Sequence, residues 1–159
     1  MRTSRLLTAV AAAWVAAVSA APVAGADNSR LNNGVVADVY AVQHQAGCAT
    51  DIKIDPALRL AAQWHARDIL TNRGLDGDLG SDGSTPQTRS RAAGFIGRAA
   101  QTVAINQSLA INNLDVIQRW YYDPVAHAIM SDCANTAIGV WSENSLDRSV
   151  VVAVYGQPG

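Results

Sequence analysis

The sequence predicts an α/β domain in which helices cover a mainly antiparallel sheet. Three observations carry this. Apolar residues recur at helical spacing through the first half of the chain. The pairs Asp55-Pro56 and Thr85-Pro86 each place a capping side chain before a proline that helices accept in their first turn. Two β-rich runs near the C-terminus, residues 137–141 and 149–155, flank the polar segment 142–148 as the arms of a hairpin flank a turn.

The elements follow in order. Arg2 and Arg5 precede an apolar run over residues 6–18, and Ala24-Gly25-Ala26 has the small-x-small pattern that signal peptidase cuts. A secretory leader over residues 1–26 and one domain over residues 27–159 are expected. An apolar run of about a dozen residues is too short to span a bilayer stably, so a retained anchor is the weaker alternative, and no transmembrane segment is expected after cleavage. Leu31, Val35, Val39 and Val42 form the stripe of a first helix over 29–47, ended by Gly47. The helix capped by Asp55 runs to about Asn72, with Leu58, Ala61, Ala62, His65 and Ile69 on its apolar face. Gly, Asp and Ser dominate residues 74–84 and predict an exposed loop. A short helix opens at Thr85-Pro86 and stops at Gly94, residues 103–105 are a candidate strand, Asn113 is expected to cap a helix over 114–122, and Pro124 opens a further helical turn through Met130. The terminal hairpin completes the chain, with Glu143 in its turn.

Composition narrows the function classes. Removal of the leader leaves 13 acidic against 10 basic residues, and Lys53 is the only lysine. No basic face stands out, so nucleic acid and anionic membranes are poor partners. Cys48 and Cys133, an even count in an exported chain, predict one disulfide. Its loop of about 85 residues gives roughly 4 kcal/mol of stabilisation in the chain-entropy treatment.

The run GSDGSTPQTRSRAAGF (80–95), followed by WYYDPVAH (120–127), resembles the CAP superfamily, also called the SCP, cysteine-rich secretory, antigen 5 and pathogenesis-related-1 family, in its bacterial secreted form. Asp55-Pro56-Ala57-Leu58, Ala137-Ile138-Gly139-Val140 and Val154-Tyr155-Gly156 fit the same pattern, and the resemblance covers nearly the whole expected domain. It implies a three-layer α-β-α sandwich with a shallow cleft. Family members resemble one another in a cleft tetrad of two histidines and two glutamates that can hold a divalent metal. At the matching positions this chain carries Asp78, Gln101, Asp123 and His127, so only His127 keeps the family's residue type. The single glutamate of the chain, Glu143, is not among them.

Asp78, Asp123 and His127 would offer one imidazole and two carboxylates, a set suited to a loosely held, oxygen-loving divalent ion. Gln101 is neutral and cannot act as a general base. The competing reading makes Asp123 the cap of the turn at Pro124 and His127 a half-buried polar residue. Asp76, Asp78 and Asp82 do not have EF-hand spacing, and short acids with glycine are ordinary turn chemistry. No G-x-S-x-G elbow occurs, and Ser81 or Ser84 would need His127 brought close. Arg89 matches an arginine common in the family and is expected to tie the loop to the body through a hydrogen-bonded ion pair. The resulting expectation is a secreted, non-catalytic domain that binds an apolar small molecule, a lipid by family resemblance, or an extracellular partner. A metal-dependent hydrolase of peptide or cell-wall material is the alternative.

Overall fold

The computed structural model describes residues 25–159, with side chains from Asn28 onward. The expected leader lies outside the described residues up to position 24, and the expected cut after Ala26 falls in the first turn of the first helix. The elements are α1 (Gly25–Gln45), β1 (Lys53–Ile54), α2 (Pro56–Thr71), α3 (Pro86–Ala92), β2 (Gly97–Asn106), α4 (Asn113–Tyr122), α5 (Pro124–Met130), β3 (Ala137–Ser145) and β4 (Arg148–Pro158).

The caps behave as their chemistry dictates. Asp55 Oδ1 accepts from the backbone N–H groups of Ala57 and Leu58 at 2.8 and 3.0 Å, and Thr85 forms a reciprocal capping box with Thr88. Asn112, not Asn113, caps α4, because its Oδ1 accepts from Asp115 N–H at 2.9 Å. The neighbouring Asn113 instead donates from Nδ2 to Asp38 on α1 at 2.7 Å.

The four strands form one sheet in the order β1-β3-β4-β2. β2, β4 and β3 pair antiparallel, while β1 joins β3 in parallel, so the sheet is mixed. Two strand expectations need correction, and one strand was not expected. β2 extends well beyond 103–105 because all of Gly97–Asn106 finds partners on β4, which overrides the weak β-propensity of Gly97 and the alanines. β3 continues through Ser145, leaving Leu146 and Asp147 to turn the hairpin, and Glu143 lies on the strand opposite Val150. β1 has no apolar alternation at all, since both of its residues are exposed.

Period-two alternation along β4 builds both cores. Val151, Ala153 and Tyr155 face α1, α4 and α5, where Val35, Val39, Val116, Trp120 and Met130 meet them. Val150, Val152 and Val154 face α2, against Leu58, Ala61, Ala62, Ala66 and Ile69. This is the expected α-β-α sandwich. Cys48 and Cys133 are bonded, with Cα atoms 5.1 Å apart, and tie the end of α1 to the segment after α5.

Candidate functional site

β2 is a terminal strand of the sheet, and the loop 74–84 on one side and α5 on the other rise beside its free edge. Side chains of α2 and α3 fix the loop. His65 on α2 is fully buried and its Nε2 lies 2.7 Å from the Gly77 carbonyl. A carbonyl only accepts, so Nε2 carries the proton, and Nδ1 is buried with no partner. Burial lowers the histidine's pKa below 6.5, which keeps the ring neutral. Asp68 Oδ2 accepts from the Ser81 backbone N–H at 2.8 Å; burial opposes ionisation of this carboxyl, but hydrogen bonds from Ser81 and Asn72 outweigh it and hold it below the usual range.

Arg89 on α3 is the third anchor. Its Nη1 donates to Ser84 O and Oγ at 2.8 and 3.0 Å, and its Nη2 to Asp78 O at 2.7 Å and Gln101 Oε1 at 3.0 Å. The expected ion pair is therefore replaced by hydrogen bonds to neutral oxygens; burial lowers the pKa of the guanidinium, and Asp78, Asp82 and Asp68 oppose that from a distance. Gln101 Nε2 closes the network on Asp78 Oδ1 at 3.1 Å.

Asp78, Gln101 and Asp123 line one cavity of about 290 Å³, together with Asp76, Trp120 and Val125. His127 is not among its lining residues. Its ring packs edge-on against Tyr121, with centroids 4.8 Å apart, on the last turn of α5. Asp123 caps α5, with Oδ1 accepting from Val125 and Ala126 N–H at 2.9 Å each. Among the described residues no group of three or more His, Cys, Asp or Glu side chains is placed to hold a metal ion. Ser81 and Ser84 line a different cavity, with Trp64, His65 and Asp68. His127 lines neither of these two cavities.

A groove of about 540 Å³ adjoins the cleft and shares Val125 and Ile129 with it. Its walls are Ala99 and Ala100 of β2 and Pro124, Val125, Ala128 and Ile129 of α5, with Arg98, Asp132 and Gln157 at the rim. Val125 is 72% exposed. Sequence reasoning missed this groove, because α5 is too short for its exposed face to register as a stripe.

Residues 5–155 match the CAP family of cysteine-rich secretory proteins. No curated protein sequence matches the chain. Among solved structures, an outer surface protein from Borrelia burgdorferi superposes with a TM-score of 0.69 at 16% identity, over 79% of this chain and 90% of that one. An extracellular protein containing a SCP domain from Bacillus anthracis gives 0.66 at 12% identity over 86% of this chain and 45% of its own, and a cysteine-rich secretory protein from Staphylococcus aureus gives 0.60 at 13% over 86% and 40%. At these identities the likeness is one of fold. The family match spans both core clusters, the disulfide and the cleft, and the chain belongs to the CAP, or cysteine-rich secretory protein, family.

Proposed function

We propose that the protein is an exported, non-catalytic CAP-domain binding module whose groove between α5 and β2 receives an apolar group, carried by a small molecule or an extracellular partner. The observation that carries this reading is the groove itself, in which Ala99, Ala100, Pro124, Val125, Ala128 and Ile129 form a continuous apolar lining beside the polar Arg98, Asp132, Asn135 and Gln157. The adjoining cleft supports it from the other direction. Its glutamine is neutral and engaged at both ends of its amide, its Asp123 is engaged as a cap, and His127 packs against Tyr121. General acid–base work needs a titratable group within reach of the reacting atom; Gln101 offers none, and Asp123 is held as the cap of α5.

Fluorescent acyl-chain and sterol probes test the reading directly. Saturable uptake by the oxidised protein, lost in Val125→Asp, is the expected result. Because Val125 is mostly exposed, that substitution leaves the core intact. Absence of uptake across both probe classes would remove the small-molecule half of the reading. Calorimetric titration with zinc addresses the hydrolytic alternative, and the expected outcome is no saturable site that disappears in His127→Ala.

A further inference from the structure

Trp64 differs from the other tryptophans among the described residues. Trp120 is buried and donates from Nε1 to Val103 O at 3.0 Å. Trp141 donates to Glu143 Oε1 at 2.8 Å and carries Arg59 over its ring. Trp64 is 41% exposed, and its indole N–H has no partner among the described residues. Indoles in that state are enriched at binding surfaces, where the ring takes an apolar contact and the N–H a polar one. Trp64 and Asp68, one turn apart on α2, form one wall of a cavity of about 240 Å³, and Ser81, Asp82 and Ser84 of the 74–84 loop form the other.

The polar groups of this cavity converge. Asp68 Oδ2 accepts from the Ser81 backbone N–H at 2.8 Å, and Arg89 Nη1 donates to Ser84 Oγ at 3.0 Å. Because residue 80 is glycine, Ser84 Oγ, Asp82 Oδ1 and Asp68 Oδ2 come within 2.6, 2.7 and 3.2 Å of the place a Cβ would take. Ser81 and Asp82 are exposed and Asp68 and Ser84 half-buried, so a ligand can reach them from solvent. These contacts hold the wall in place before any ligand arrives, which spares part of the ordering cost of binding.

The charges select the ligand class. Two carboxylates repel an anion, and the Arg89 guanidinium behind Ser84 repels a cation. A hydroxyl both donates and accepts, so it meets carboxylate and serine alike. A pyranose adds a C–H face that packs on an aromatic ring, and the cavity is smaller than the about 300–1,000 Å³ that drug-sized ligands occupy. We propose that this cavity is a carbohydrate subsite that takes one neutral pyranose ring, stacked on Trp64 with its hydroxyls on Asp68, Asp82 and the loop serines. The site is separate from the groove between α5 and β2 and does not depend on what that groove binds.

The probes are the methyl glycosides of glucose, mannose, galactose and N-acetylglucosamine, each titrated to about 50 mM into the isotope-labelled oxidised protein while the indole N–H resonances are followed. At least one glycoside is expected to shift the Trp64 resonance saturably, with a Kd of about 1 mM, and to leave those of Trp120 and Trp141 in place. Trp64→Ala, read through the Ser81 and Asp82 amides, should weaken binding at least about tenfold, whereas Trp64→Tyr keeps an aromatic face and should stay within about fivefold. Asp82→Asn keeps the oxygen that accepts from Ser84 N–H but loses the charge, and should weaken binding about threefold. These two conservative variants carry the test if Trp64→Ala does not fold. Absence of a saturable shift with all four glycosides overturns the proposal, as does binding that is unchanged in every variant. Saturable binding of tetramethylammonium in place of the glycosides would make the site a cation cage, and glycerol binding as tightly as the glycosides would show that the ring is not recognised; either result overturns it.

Discussion

His65 shows how one side chain couples a loop to pH. The ring is fully buried, donates to Gly77 O, and has no acceptor for a second proton. Protonation would place a charge in the core beside Arg89, with only Asp68 and Asp78 near enough to offset it. The folded-state pKa is lowered, so the unfolded chain binds the proton more readily. The stability this residue contributes is therefore complete above about pH 6.5 and declines as pH falls from there towards the folded-state value. Thermal melts from about pH 7.5 to about pH 5 should show a steeper loss for the native chain than for His65→Gln, which keeps a donor for Gly77 but does not titrate. Equal slopes would place the acid sensitivity elsewhere. His65 was recognisable in the sequence as a core histidine from its place on the apolar stripe of α2. Its partner was not, because Gly77 lies in a loop whose path no periodicity encodes. The same limit applies to Arg89, whose choice of carbonyls over a carboxylate depends on the fold of the 74–84 loop.

At the scale of elements, local chemistry was legible and non-local pairing was not. Asp55-Pro56, Thr85-Pro86 and Asp123-Pro124 all cap helices as their side chains predict, because a cap is decided within a few residues. β1 exists only because Lys53 and Ile54 meet Ala137 and Ile138 more than 80 residues away. The joint between α2 and β3 is equally hidden, since a Cβ added to Gly139 would lie 2.0 Å from Arg59 N and 2.2 Å from Leu58 C. Both obstacles are helix backbone and cannot swing aside. Gly139→Ala should force α2 off the sheet and cost about 3 kcal/mol, near the upper end for overpacking, which lowers the melting temperature by about 10 °C. A loss below about 1 kcal/mol by denaturant titration would show that the helix has more freedom to shift than this contact allows.

For the molecule as a whole, the disulfide and the sheet order matter most. The Cys48–Cys133 bond spans 85 residues and joins the first helix to the segment that leads into β3. Replacing both cysteines by serine should cost roughly 4 kcal/mol, with a fall in melting temperature of about 12 °C. A change within about 1 kcal/mol would mean that the two core clusters hold these segments together without it. The three-layer plan was legible because amphipathic helices and a β-rich tail leave few other ways to bury their apolar faces. The cleft was legible only through family resemblance, which named Asp78, Gln101, Asp123 and His127; the first three line one cavity, and His127 packs against Tyr121.

The strand order carries one more consequence, for the timing of folding. β4 is the last element of the chain, yet it sits between β3 and β2 and contributes buried residues to both cores. A nascent chain halted anywhere before Arg148 holds β2 and β3 without the strand that joins them. The sheet therefore closes only after the segment Arg148–Pro158 has emerged, and until then neither apolar face of the helices has a completed sheet to cover it.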